Sequence, residues 1–173
     1  EHILLIEPPF FRFKGANSDI FPIGLGYIAS LLHKNKYFVR VYNGEQFSHL
    51  EATSVVSYQD LLKSHEKFIA GLQDDNHLIW KEVQEYIEKY KPTVIGIGTT
   101  TTKMKSALKI AAIAKRTSPK IKIVVGGLHT TIMPEDVLKS PDVDFVVRGE
   151  GEVTFLELVQ ALECENHRPH YFP

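Results

Sequence analysis

Three short runs of mostly apolar, β-branched residues alternate with helix-patterned segments in the second half of the chain. They are Thr93-Val94-Ile95-Gly96-Ile97-Gly98, Lys120 to Val125, and Asp144-Phe145-Val146-Val147. Continuous apolar runs of this length, without strict alternation, fit strands covered on both faces. The segments between them carry helix signals. Lys103 to Thr117 places Met104, Leu108, Ile110, Ala111 and Ala114 on an inner side, and Pro134 opens a short helix over 134–138. Strand, helix, strand in this rhythm is the pattern of a parallel sheet with helices on both faces.

The first half extends the pattern. Ile3-Leu4-Leu5-Ile6 reads as a first strand, stopped by Glu7-Pro8-Pro9, and Phe38-Val39-Arg40-Val41-Tyr42 as a second, stopped by Asn43-Gly44. Between them, Pro22 can open a helix over about 22–35, with Ile23, Tyr27, Ile28, Leu31 and Leu32 at helical spacing. Residues 46 to 91 lack a strand pattern. Leu61, Leu62, His65, Phe68, Ile69 and Leu72 mark one amphipathic helix, and Trp80, Val83, Tyr86, Ile87 and Tyr90 a second. Asp74-Asp75-Asn76 separates them and is placed to cap the second. The first reads as an insertion and the second as the crossover into the third strand. A last helix is expected from about Val153 to Leu162.

Right-handed crossovers then restrict the topology. The expectation is an α/β fold: a doubly wound, five-stranded parallel sheet of flavodoxin-like order 2-1-3-4-5, with a helical insertion at about 46–75. The expected domain is 1–165, with 166–173 the start of a linker to a further domain. Glu1 in place of Met, and a polar, proline-broken end, point to a piece of something longer. In such a sheet a ligand sits over the carboxyl ends of strands one, three and four.

Those ends carry few acids or bases. After strand one come Pro9 and a loop with Phe10, Phe11 and Phe13, then Gly24-Leu25-Gly26-Tyr27 in a helix's first turns. Thr99 to Thr102 follow strand three, Gly126-Gly127-Leu128-His129-Thr130-Thr131 strand four, and Arg148-Gly149-Glu150-Gly151-Glu152 strand five. The stretch after strand four reads as a polar turn. Its two glycines let the backbone turn sharply and let something large approach it. Such a lining suits backbone and hydroxyl contacts to a large polar ligand. Glycines and threonines also belong to any strand-to-helix junction, as helix caps and turns. The three phenylalanines need cover from the insertion, a further domain or a flat ligand.

Several functions are excluded by pattern. The dinucleotide fingerprint belongs in a tight turn after strand one with an acid ending strand two. Here that loop is about fifteen residues, Ala29 stands where a third glycine is needed, and strand two ends in Tyr42-Asn43. No phosphate-binding P-loop is present. A receiver domain needs an aspartate ending strand three, where Gly98-Thr99 stand. A net charge of −1 gives no footprint for nucleic acid. No apolar run reaches the ~18 residues of a membrane helix. The single cysteine, Cys164, allows no intrachain disulfide or Cys-based metal cluster, and a cytoplasmic location is the simplest expectation.

Five stretches in order then become familiar: Leu4 to Pro9, Pro22 to Ala29, Gly96 to Thr99, Val125 to Glu135 and Asp144 to Glu152. Together they resemble the cobalamin-binding domain at the amino end of many radical S-adenosylmethionine proteins, across essentially the whole chain. The resemblance implies a corrinoid held between this domain and a following radical S-adenosylmethionine barrel of the same chain. It implies that Gly126, Gly127 and Thr130 admit the nucleotide tail, and that Thr99 and Thr101 hydrogen-bond it. Pro9, Phe10, Gly24, Leu25, Gly26 and Tyr27 would border the corrin, and Arg148, Gly149 and Glu150 would line the mouth or meet the barrel. Related modules carry an Asp-x-His-x-x-Gly motif whose histidine ligates cobalt. Residues 8–21 contain no histidine, so no imidazole ligand comes from that loop. His129 is then a contact to the tail rather than to the metal. The family's Cys-x-x-x-Cys-x-x-Cys, which holds an iron–sulfur cluster and S-adenosylmethionine, belongs to the following part. A methyltransferase, cyclase or related reaction there fits, on a small-molecule substrate the sequence does not name. Two other readings stay open: the same fold as a structural or interaction domain without cofactor, and a flavin or nucleotide binder.

Overall fold

In a computed structural model, the structure describes residues 1–15, 20–46 and 58–166. The expected linker from 167 and the insertion's first part, 47–57, lie outside the described residues. Five parallel strands form one sheet: β1 (His2–Glu7), β2 (Phe38–Asn43), β3 (Val94–Gly98), β4 (Lys122–Gly126) and β5 (Phe145–Val147). Their order is β2-β1-β3-β4-β5, as the crossover argument requires. The central register pairs Leu5 with Gly96, and Gly96 with Val124.

Residues of alternate parity on each strand point to opposite faces. Leu4, Ile6, Ile95, Ile97, Ile123 and Val125 face one layer, with α3 (Leu78–Tyr90) and α4 (Met104–Thr117) over them. Ile3, Leu5, Val94, Val124 and Val147 face the other, with α1 (Ile23–Lys34) and α7 (Glu152–Asn166) over them. Burial on both faces is why these strands read as unbroken apolar runs. Gly96 has a packing reason on the second face. A Cβ there would stand 2.7 Å from Leu5 and 2.8 Å from Phe155.

The helical insertion supplies the cover for the aromatic loop. The described part of it is α2 (Tyr58–Gln73). Phe10 meets Phe68 edge-on with ring centroids 4.7 Å apart, and Phe13 packs 5.0 Å from the Trp80 ring. Gly71 of α2 lets Phe13 lie against its backbone, where a Cβ would be 2.4 Å from the ring. Trp80 Nε1 donates to the Gly71 carbonyl at 2.7 Å. Phe10 and Phe13 are buried and Phe11 is half exposed, so a flat ligand is not what covers the first two.

Three local expectations are corrected. The cap of α3 is His77, whose Nδ1 accepts from Ile79 N at 3.3 Å; Asp74 instead closes its own turn by accepting from Asn76 N at 2.9 Å. The stretch after Gly127 is one helical turn and more, α5 (Leu128–Ile132), followed by α6 (Pro134–Leu138). Threonine favours caps and turns, but the sheet pins this segment through Thr130. The last helix, α7, starts at Glu152 and runs past Leu162 to Asn166. Tyr37 reaches it, its hydroxyl donating to Glu163 Oε2 at 2.8 Å.

Candidate functional site

At the carboxyl ends of the strands a cavity of about 330 Å³ opens between the sheet and the α1/α7 layer. Its size falls in the usual range for cofactor sites, roughly 300–1,000 Å³. The strand order reverses there: β1 and β3 are neighbours, while β2 lies beyond β1. Its floor is hydrocarbon, from Leu5, Leu25, Ile28, Val124, Val147 and Phe155. Its rim is glycine and backbone, from Gly24, Gly98, Thr99, Gly126, Gly127, Gly149 and Gly151. Three carboxylates, Glu7, Glu150 and Glu152, also reach it.

Seven of the fifteen expected site residues converge on this cavity: Gly24, Leu25, Thr99, Gly126, Gly127, Gly149 and Glu150. Gly24 lies one turn before Ile28 on the same face of α1, and a Cβ there would meet nothing within 4 Å. Its missing side chain leaves the mouth open. Gly26 has a different reason. A Cβ would stand 2.6 Å from the Phe21 ring, so the close approach there is to protein. Tyr27 is exposed on the outer side of α1.

Gly127 has a packing reason within the protein as well as a place on the rim. Its φ is +113°, and a Cβ would lie 2.4 Å from the Thr99 carbonyl oxygen. Thr99 N donates to Gly126 O at 2.8 Å, which pulls the two strand ends together. Gly126 is less constrained, its nearest Cβ neighbour being Val147 at 3.7 Å. Thr130 is fully buried and outside the cavity lining. Its one O–H is shared between Gly127 O at 2.8 Å and Val147 O at 3.1 Å, which ties β4 to β5. Thr131 Oγ1 donates to Gly127 O at 2.9 Å and accepts from Gly149 N at the same distance. These hydroxyls shape the rim from behind.

Thr101 and His129 form a pair beside the cavity. Thr101 Oγ1 and His129 Nδ1 are 3.1 Å apart, and His129 is mostly buried. Arg148 is exposed and only grazes Thr131 O, at 3.4 Å. Pro9 and Phe10 are not brought to the cavity. Phe10 joins the core on the opposite sheet face, and Pro9 O accepts from Ser106 Oγ of α4 at 2.7 Å.

Glu7 is one of the lining residues that sequence reasoning missed, beside the apolar floor of Leu5, Val124, Val147 and Phe155. It ends β1 with its carboxylate on Lys103 Nζ, and Glu45 Oε1 stands 2.8 Å from the same ammonium. Glu45 Oε2 in turn accepts from Phe10 N at 3.0 Å and Arg12 N at 3.1 Å, so the triad fixes the aromatic loop. Burial pushes the Glu7 carboxyl above the usual range, with Glu45 adding to the shift and Lys103 opposing it. Burial pulls the Lys103 ammonium down, but its two carboxylates outweigh that and raise it. A single acid before Pro8-Pro9 carries little signal by itself; its partners lie 38 and 96 residues away along the chain.

Among the described residues no three His, Cys, Asp or Glu side chains gather as metal ligands, and no helix is long and apolar enough to cross a membrane. Comparison with known proteins agrees with the fold. The chain is 43% identical to an uncharacterized methyltransferase of Pyrococcus horikoshii over 165 residues, 92% of this chain and 29% of the relative. It is 40% identical over 89 residues to the anaerobic magnesium-protoporphyrin IX monomethyl ester cyclase of Rubrivivax gelatinosus, 51% of this chain and 16% of that one. It is 33% identical over 82 residues to a cobalamin-dependent radical SAM methyltransferase of Streptomyces tokunonensis, 47% of this chain and 12% of that one. The chain thus spans less than a third of the length of these relatives. Residues 14–159 match the B12 binding domain, and with the five-stranded sheet in order 2-1-3-4-5 this chain belongs to the B12-binding domain family.

Proposed function

We propose that this chain holds cobalamin over the strand ends, with its nucleotide tail in the cavity between the sheet and the α1/α7 layer. The observation that carries the reading is the open cavity beside Gly24, where a side chain would fill space that no protein atom occupies. Packing within the domain gives Gly24 no reason to be glycine, and it leaves the hydrocarbon floor uncovered. A flavin mononucleotide is disfavoured by charge. Glu7 is already paired with Lys103, Glu150 and Glu152 add negative charge, and no cation in the lining meets a phosphate dianion. The phosphodiester of a cobalamin tail carries only a single charge.

The chain's own residues would do three things. Leu5, Leu25, Val124 and Phe155 would exclude water from the tail, and the glycine rim would allow close backbone approach. The Glu7–Lys103–Glu45 triad would hold the loop after β1 clear of the opening. Cobalamin supplies, when bound, a cobalt-carried methyl group or one-electron chemistry that no side chain here offers. The domain spans 1–165 on this reading, with the part from 166 leading onward. We further propose a radical S-adenosylmethionine barrel as the following partner, supported by the similarity to the cobalamin-dependent radical SAM methyltransferase of Streptomyces tokunonensis and by the greater length of all three relatives. Exposed Ile23, Tyr27, Leu128, Ile132 and Val153 near the strand ends would meet it. The iron–sulfur cluster, S-adenosylmethionine and the methyl transfer or related radical step belong there, on an unidentified small molecule. A coding sequence without a cysteine triad downstream would overturn this second part alone.

The test of cobalamin binding is gel filtration with hydroxocobalamin, followed in the visible spectrum. Wild-type protein should co-elute with the corrinoid. Gly24→Leu should fold, since the site has room for a side chain, and should lose at least tenfold in affinity. A folded wild-type protein that leaves the corrinoid in the low-molecular-weight fraction overturns the reading.

A further inference from the structure

We propose that the cavity selects corrinoids by their lower base, accepting a benzimidazole-type base and discriminating against a purine. This rests on the corrinoid reading above and adds to it a ligand preference set by the cavity floor.

The floor offers a base nothing to hydrogen-bond. Leu5, Val124, Val147 and Phe155 are buried side chains without a polar atom. The backbone at that depth is occupied by the sheet, since Leu5, Gly96 and Val124 sit in consecutive paired registers. The nearest strand-end carbonyls already accept one hydrogen bond each, and carbonyls donate none. Gly126 O accepts from Thr99 N, and Val147 O accepts from Thr130 Oγ1. The Thr99 hydroxyl donates to Thr100 O at 3.0 Å. The acids sit higher. Glu7 is two residues beyond Leu5 on the same strand face, at the strand end, and is held by Lys103. Glu150 and Glu152 belong to the segment after β5.

Volume allows a fused ring. An apolar cavity of about 150 Å³ takes a benzene ring, and this one measures about 330 Å³. Size therefore does not separate a benzimidazole from a purine, and polarity decides. A dimethylbenzimidazole brings methyl groups and one free ring nitrogen. An adenine brings an exocyclic amine and further ring nitrogens, and those nitrogens are acceptors that must leave water without a donor at the floor. A buried donor or acceptor left unpaired discriminates more strongly than a missing methyl group.

The experiment is equilibrium dialysis of the purified protein against three corrinoids, read by visible absorption. They are cobalamin, the adenine-based pseudocobalamin, and cobinamide, which has no nucleotide tail. Cobalamin should bind about tenfold more tightly than pseudocobalamin, a difference of ~1.4 kcal/mol, and at least tenfold more tightly than cobinamide. Val124→Thr, which keeps the shape and adds a hydroxyl to the floor, should narrow the cobalamin-to-pseudocobalamin ratio at least threefold. Equal affinity for cobalamin and pseudocobalamin, with cobinamide weaker, overturns the base preference and leaves the corrinoid reading standing. Cobinamide binding as tightly as cobalamin overturns the placement of the tail. Failure of all three to bind overturns the corrinoid reading and this inference with it. The wild-type comparison decides even if the Val124 variant does not fold.

Discussion

Gly127 is held in a conformation that L residues avoid, and it touches Thr99 through backbone. Replacement by alanine strains the φ angle by about 1–3 kcal/mol and drives a Cβ into a carbonyl that cannot swing away. Gly127→Ala should therefore lower the urea midpoint clearly and weaken corrinoid binding. Gly126→Ala should cost less than about 1 kcal/mol, because its Cβ meets only ordinary contact. Equal effects of the two substitutions in urea melts would contradict the geometry. Lys103 makes a second residue-level case. Its removal leaves a buried Glu45 and a half-buried Glu7 with no shared cation. Lys103→Met should destabilise the fold by roughly 3–5 kcal/mol, and a melt unchanged to within 1 kcal/mol would refute the role assigned to the triad.

At the scale of elements, α3 starts on a titratable cap. His77 Nδ1 accepts from Ile79 N, which requires the neutral ring with its proton on Nε2. Burial lowers the His77 pKa, and the Arg12 charge adds to that while Asp74 opposes it. A pKa lower in the folded than in the unfolded state gives stability that is present above the unfolded value. It is lost as pH falls through the folded one. The fold should thus weaken from neutral pH downward through the histidine range. His77→Asn keeps a capping acceptor without titrating there, so it should flatten this part of the pH–stability curve by up to about 1 kcal/mol. Denaturant titrations at about pH 8 and pH 5 measure the difference. Parallel curves for the two proteins would remove the cap from the account.

For the whole molecule, ligand binding and folding are linked. Cobalamin at 100 times its dissociation constant should add about 2.7 kcal/mol. For a chain of this size that raises the melting temperature by roughly 5–10 °C. The Gly24→Leu variant, at least tenfold weaker, should show at most about half that rise at the same cobalamin concentration. A rise of equal size in both would place the ligand elsewhere. The same measurement with cobinamide reads the tail's share.

The sheet order was legible in the chain because burial on both faces leaves continuous apolar runs, and handed crossovers leave few ways to order them. Val94 to Gly98 and Ile123 to Val125 needed no other information. The glycines at strand ends were legible as a site, but their individual reasons were not. Gly24 opens the mouth, Gly26 admits Phe21, and Gly127 admits Thr99, and no local pattern separates the three. Phe10 and Phe13 announced a need for cover without saying whose; the insertion helix α2 gives it. Glu7 gained its place only through Lys103 and Glu45, and Phe10 lies away from the cavity, packed on Phe68 in the other layer. Hydrophobic period and helix punctuation act over a few residues, so the sequence by itself determined the main elements, the sheet and the end of it that carries the cavity. Side-chain convergence is set by contacts between residues far apart in the chain, so only the tertiary structure decided which residues line the cavity.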